Sequence, residues 1–325
     1  MQSSDSRDAG PTTNGRSPIA RVMAISELRL ILLILVGAAV LASLSPAFMT
    51  GRNLSSVLLG FSFVGIAALG QVLVIIAGRI DLSSGSVMGL SGMVCAITMT
   101  SGFGMWGGIV AGILTGAACG VFNAVFTVRF GITSFIVTLG TLQVARGITV
   151  GLTEGNTVTG FPDLFLWFGS GTVFGVPFPL ILLILIGLVI SFALRNTGIG
   201  REVYAVGGNE TAARLAGVAV NRIQVGVFVL SGLLAGLAGV LLTARLGAAV
   251  SNAATGYELT IIASVVIGGA SLAGGAGTAL GVVLGALLIA LVNNALVLLT
   301  VPTYWQQTFI GAVIVAAALL DRFRR

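Results

Sequence analysis

The chain has 325 residues, 56% hydrophobic and only 8% charged, with a mean hydropathy of +1.10 and a formal charge of +6. Soluble domains carry about a quarter charged residues, which excludes a dissolved monomer. All sixteen basic residues are Arg and there is no His, so a P-loop, a Ser–His triad, an imidazole proton relay and a His-based metal site are excluded as well.

Residues 1–27 mix Ser, Asp, Gly, Pro, Thr and Arg, with too little apolar surface to fold alone, and are expected to form a disordered cytosolic tail. The apolar run from Leu28 to Phe48 is longer than a secretory h-region, which favours an uncleaved first span over a signal peptide. A hydrocarbon core takes about 20 apolar residues as a helix. Continuous rather than alternating apolar runs select helices over barrel strands. Spans are expected at 28–49, 55–78, 83–101, 105–128, 132–151, 177–194, 225–244, 259–271, 277–299 and 304–320. The fold class is therefore all-α and polytopic, with about ten transmembrane helices over 28–321 and a basic cytosolic end at 322–325.

With the N-terminus inside, most Arg residues fall on the cytosolic side, against Arg52 and Arg245 outside, as the positive-inside rule requires. An even span number returns the C-terminus to the cytosol. Because the Arg residues stand between spans and form no basic face, nucleic acid is not a partner; membrane lipid is. The 47 Gly residues suit close helix approach and broken helices beside a pathway. Cys95 and Cys119 lie inside apolar stretches without metal-ligand spacing and read as small hydrophobes. No catalytic residue and no metal site are expected.

Two loops are long. Residues 152–176 face outside, and their interleaved aromatics and acids form either a docking surface or an interfacial re-entrant segment. Residues 195–224 face the cytosol. Within them Asn209 suits an N-cap, Glu210 and Thr211 the first turn, and Gly217 the left-handed position after the helix. A helix of about two turns is unstable alone, so it packs on the spans or on a partner, with Ala212, Leu215 and Ala216 as its apolar face; an ordinary solvated loop is the other reading. There is also a weak internal repeat: G-R-I-D-L-S-S-G-S-V-M-G-L from Gly78 echoes G-G-A-S-L-A-G-G-A-G-T-A-L from Gly268. Gly-interrupted spans in corresponding positions point to a transporter pathway.

Few polar groups fall within the spans. Asp81, before Ser83 and Ser84, either caps the third span or aims a helix N-terminus into a pathway. Asn123, Thr138, Thr141, Gln143, Asn293 and Asn294 offer uncharged hydrogen bonds, suited to a neutral polyol or to helix–helix contact. Arg146 lies near an outer span end, within reach of the interface. Arg245 and Glu258 bracket an outer loop, where an ion pair would close an outer gate.

The stretch from Gly200 resembles the cytoplasmic coupling loop of bacterial ATP-binding-cassette importer permeases for monosaccharides, the ribose-type branch. I-D-L-S-S-G-S (80–86), F-I-V-T-L-G-T (135–141) and G-Y-E-L-T-I-I-A-S-V-V-I-G-G-A-S-L-A-G-G-A-G-T (256–278) resemble further motifs of that family. The sequence departs from the pattern at Arg79, Ser251, Ala276 and Ala124. The resemblance implies a bacterial inner-membrane permease subunit and a partner ATPase with two nucleotide domains, which binds the ATP and Mg while this chain binds no cofactor. It also implies a periplasmic sugar-binding protein and a second permease copy or homologue. Coupling to the ATPase is expected from Asn209, Glu210, Ala213, Arg214, Leu215 and Gly217. The competing class is a secondary carrier driven by an ion gradient, for which only Asp81 and Glu258 are candidate ion-linked groups.

Overall fold

The computed structural model describes residues 26–302 together with 305, 308, 309, 311 and 312. The expected N-terminal tail up to residue 25, most of the tenth span and the basic end lie outside the described residues. The helices are α1 Ser26–Leu44, α2 Gly51–Ile76, α3 Ser84–Thr98, α4 Gly104–Ala124, α5 Ser134–Gly151, α6 Asp163–Ser170, α7 Phe178–Asn196, α8 Gly198–Gly208, α9 Glu210–Leu215, α10 Val220–Leu246, α11 Tyr257–Ile267 and α12 Ala279–Leu298. Among the described residues, seven helical stretches are long and apolar enough to cross a membrane.

One of these stretches, Ser84–Arg129, is a fold-back rather than a single rod. The π-helical turn Met99–Phe103 contains Gly102 at φ 95°, which reverses the chain. Gly108 then packs on Cys95 and Met99, and Gly112 on Ser91 and Cys95, the pairing of two antiparallel helices. The expected third and fourth spans are this hairpin. By contrast α11 has 11 residues, about 16 Å at 1.5 Å per residue, so the span expected at 259–271 is too short to cross. It packs as a broken helix against α12.

Helix α2 is the hub, buried from Phe61 to Ile76 among α7, α10, α11 and α12. The tightest contact joins α4 to α10. Gly108, Gly112, Gly116 and Gly120 recur every fourth residue along one buried face of α4, and Gly116 and Gly120 meet Phe228, Gly232 and Gly236 of α10 backbone to backbone. A Cβ on Gly116 would lie 2.7 Å from the Gly236 Cα. In lipid, where apolar side chains gain little by leaving the solvent, such close approach supplies the packing.

The long loop at 152–176 is structured. Helix α6 lies across α10, with Phe165 fully buried and Gly169 against the Ala244–Arg245 backbone. A two-stranded hairpin, β1 Thr172–Val173 and β2 Val176–Pro177, follows.

Candidate functional site

The end of the bundle where α2 stops and α10 begins carries the loop of 197–219. Two helices occupy it. Helix α8 has Thr197 as its N-cap, whose hydroxyl accepts from Gly200 N at 3.1 Å, and buries Val203 and Val206. The sequence reading missed it, although Val203 and Val206 lie on one helical face. Helix α9 follows the expected capping: Asn209 Oδ1 accepts from Ala212 N at 2.9 Å. At its other end Gly217 has φ 85°, Gly217 N donates to Arg214 O, and Val218 N donates to Ala213 O. These are the two bonds of a Schellman cap. Ala213 is buried, whereas Leu215 is 85% exposed, beside exposed Ala212 and Ala216. A large apolar side chain is thereby held in the open on a helix fixed at both ends.

Glu210 fixes α9 to the bundle. Its Oε2 accepts from Arg79 Nη2 at 3.0 Å and from Gln224 Nε2 at 3.2 Å, and its Oε1 accepts from Arg214 Nη2 at 3.1 Å. Beneath it the two repeated Gly-rich breaks converge on α8. Gly78 and Gly274 both pack on Gly207, and Gly275 N donates to Ile76 O at 2.9 Å. Tyr204 donates to Gly277 O at 2.7 Å, and burial pushes its phenol above the ordinary value, which keeps it a donor. The sequence repeat is therefore a spatial pair, joined by the end of α8.

Above that junction is a buried polar cluster. Asp81 Oδ1 accepts from both the backbone N (2.8 Å) and the hydroxyl (2.5 Å) of Ser83, and Oδ2 from Ser231 Oγ at 3.5 Å. Asn123 Nδ2 donates to Ser83 Oγ at 2.9 Å, and Thr141 Oγ1 donates to Asn123 Oδ1 at 2.6 Å. Thr138 Oγ1 accepts from Leu82 N at 3.0 Å. The cluster ties the α2–α3 connection to α4, α5 and α10. Asp81 and Asn123 are 3% and 1% exposed.

Two expectations are corrected here. Asp81 is not the cap of α3: Ser83 occupies the N-cap position, and the Asp81 carboxylate closes a turn one step earlier. Gln143 does not join the cluster, because it lies on the exposed face of α5.

Asn293 and Asn294 belong elsewhere. At the opposite end, Asn53, Ser56, Thr260, Asn293 and Asn294 line a cavity of about 740 Å³ between α2, α11 and α12. Asn53 and Asn294 exchange hydrogen bonds of 3.1 and 2.6 Å. Arg52 is the one charged residue in this lining among the described residues. The expected Arg245–Glu258 ion pair is not formed in this structure: Arg245 is exposed at the end of α10, while Glu258 sits against Gly85 of α3, within electrostatic reach of Arg146. Arg146 does not reach for the interface, since it donates to Ala253 O at 2.7 Å.

Residues 53–318 match the family described as the branched-chain amino acid transport system / permease component. The chain belongs to that family. It is 41% identical over 314 residues, 95% of this chain and 98% of the relative, to the ribose import permease protein RbsC of Escherichia coli. It is 40% identical over 286 residues, 87% of this chain and 88% of the relative, to the D-allose transport system permease protein AlsC of the same species. It is 38% identical over 301 residues, 93% of this chain and 89% of the relative, to the L-arabinose ABC transporter permease protein AraH of Azospirillum brasilense. No solved structure matches significantly. This permease-family chain is thus a multi-pass transport subunit and not an enzyme.

Proposed function

We propose that this permease imports a monosaccharide or related polyol by alternating access, powered by ATP hydrolysis on a separate ATPase with two nucleotide domains. In this reading it sits in a bacterial inner membrane with about ten membrane segments, one of them completed by the chain that follows α11, and with both termini in the cytosol. It pairs with a second permease copy or homologue and receives sugar from a periplasmic binding protein. The observation that carries the reading is the capped helix α9, which presents Leu215 at 85% exposure. A solvated loop does not need two caps, a carboxylate anchor and an exposed Leu; a helix seated in an ATPase groove does. A partner shifts the permease only through contacts that differ between its two states, and α9, bound to Arg79 of the first Gly-rich break and continuous with α8, on which both breaks pack, is placed to deliver them.

The sugar class rests on the relatives and on the chemistry of the outer cavity. Amides and hydroxyls supply both donors and acceptors for a polyol. An amino acid brings a carboxylate and an ammonium, and burying an unpaired ammonium is costly; among the described residues the lining offers Arg52 but no carboxylate. Asn53, Asn293 and Asn294 are assigned to solute entry, and the Asp81, Ser83, Asn123, Thr138 and Thr141 cluster to the moving interior of the pathway.

The test is uptake into proteoliposomes holding this chain with its ATPase, with the binding protein outside. Labelled ribose, arabinose, allose and xylose are offered against labelled leucine. Sugar accumulation that needs internal ATP and survives collapse of the ion gradients is expected. Accumulation of leucine instead, or uptake by the permease alone, would overturn the proposal.

A further inference from the structure

We infer that Arg79 is a positioning residue: it clamps the ATPase-facing helix α9 to the segment that carries Asp81, so that movement of α9 is delivered to the buried cluster between α3, α4 and α5. The inference rests on the coupling role proposed for α9 and adds the route by which its motion enters the bundle.

Arg79 and Asp81 are two residues apart on the short connection between α2 and α3, and each is held by a different part of the molecule. At Arg79 the guanidinium meets Glu210, the first residue of α9, at 3.0 Å. At Asp81 the carboxylate binds Ser83, whose hydroxyl leads through Asn123 to Thr141 on α5. Ile80 N donates to Ser134 Oγ and Leu82 N to Thr138 Oγ1, so α5 also holds the backbone on either side of Asp81. The connection is thus gripped from below by α9 and from above by α5, with only residues 79–83, outside any helix or strand, between.

The geometry separates a clamp from a stabilising ion pair. The Arg79 and Glu210 side chains are 26% and 40% exposed, and ion pairs of that exposure add little to stability. Their worth lies in direction: one carboxylate collects Arg79, Gln224 and Arg214 from the α2–α3 connection, α10 and α9 itself. Removing Arg79 leaves α9 capped and still joined to α10 through Gln224, but frees it from the connection.

The experiment compares Arg79→Gln and Arg79→Lys with the parent and with Leu215→Ala, each in the full complex with ATPase and binding protein. Ribose, arabinose, allose and xylose, all labelled, are supplied together. Membrane insertion of every variant, and co-purification of the ATPase with the two Arg79 variants, are expected to be unchanged. Arg79→Gln should lower sugar moved per ATP hydrolysed by about fivefold or more, and Arg79→Lys, which keeps a cation for Glu210, should restore most of it. A second readout needs no transported sugar: hydrogen exchange across residues 77–86, with and without ATP and vanadate, should respond to nucleotide in the parent and not in Arg79→Gln.

A parent-like ratio and a parent-like exchange response in Arg79→Gln would overturn the clamp. So would equal impairment of Gln and Lys variants with the nucleotide response intact, which marks a purely local fault. If Leu215→Ala fails while Arg79→Gln transports normally, only the clamp falls; if Leu215→Ala transports normally, the coupling role of α9 falls and the clamp with it.

Discussion

The side-chain amides of Asn53 and Asn294, on α2 and α12, exchange two hydrogen bonds, of 3.1 and 2.6 Å, across the wall of the cavity between α2, α11 and α12. Each satisfies the other, so the pair closes that wall without spending the hydroxyls and the amide of Asn293 that line the same space. Replacing Asn294 with Leu leaves Asn53 with one donor to Phe48 O and its carbonyl unpaired. The expected cost is about 1–3 kcal/mol, together with a raised KM for sugar uptake and a smaller change in kcat. Uptake kinetics in proteoliposomes and thermal unfolding in detergent check both parts.

In the interior, Thr141→Val removes the 2.6 Å donor to Asn123 while keeping shape. The variant is expected to lose about 1–3 kcal/mol of stability, because the Asn123 carbonyl oxygen is then buried unpaired. Cys95 is buried whereas Cys119 is half-buried, so with Cys119 replaced by Ser a thiol-reactive dye reports unfolding through Cys95. A melting curve superimposable on the parent's would contradict the assignment of this bond.

Packing of α4 on α10 predicts a contrast between two glycines. Gly116→Leu forces side-chain atoms into the Gly232 and Gly236 backbone, with overpacking of at least about 1–3 kcal/mol, and folded protein should be scarce. Gly140→Ala on α5 meets nothing within 4 Å and should raise helix stability by up to about 1 kcal/mol. Yield of monodisperse protein after detergent extraction distinguishes the two outcomes.

Helix α9 is tested through its cap. Gly217 has φ 85°, and a β-branched residue there is strained by about 1–2 kcal/mol. Gly217→Val is expected to loosen α9, lowering sugar uptake while the ATPase still hydrolyses ATP. Ala213→Pro, which breaks the helix, should uncouple more completely with insertion intact. Paired uptake and phosphate-release assays on the same vesicles measure this.

Fold class was readable because hydrocarbon imposes its own length on every span, and the ends of α2, α5, α7, α10 and α12 fall within a few residues of the apolar runs. The caps of α9 were readable for a similar reason: Asn209 and Gly217 act on backbone groups three residues away or nearer, so spacing alone specifies them. The break at 102–104 between the third and fourth spans was readable as well, but which glycine there takes positive φ was not, since one glycine among 47 carries no mark of it. Nor was the fate of the polar residues. Asn123 and Gln143 both read as uncharged groups in a span, yet one is enclosed by Ser83 and Thr141 and the other faces outward.

Local chemistry along the chain therefore settled that this protein lives in lipid as helices, handles no nucleotide phosphate through a Lys, and caps a short helix between Asn209 and Gly217. Which side chains share a site was decided only when the helices packed. Arg79 turned to Glu210 rather than to its neighbour Asp81, and Glu258 turned to α3 rather than to Arg245. The physical reason is that membership of a span is a property of about 20 consecutive residues, whereas a partner 131 positions away is set by helix rotation and crossing.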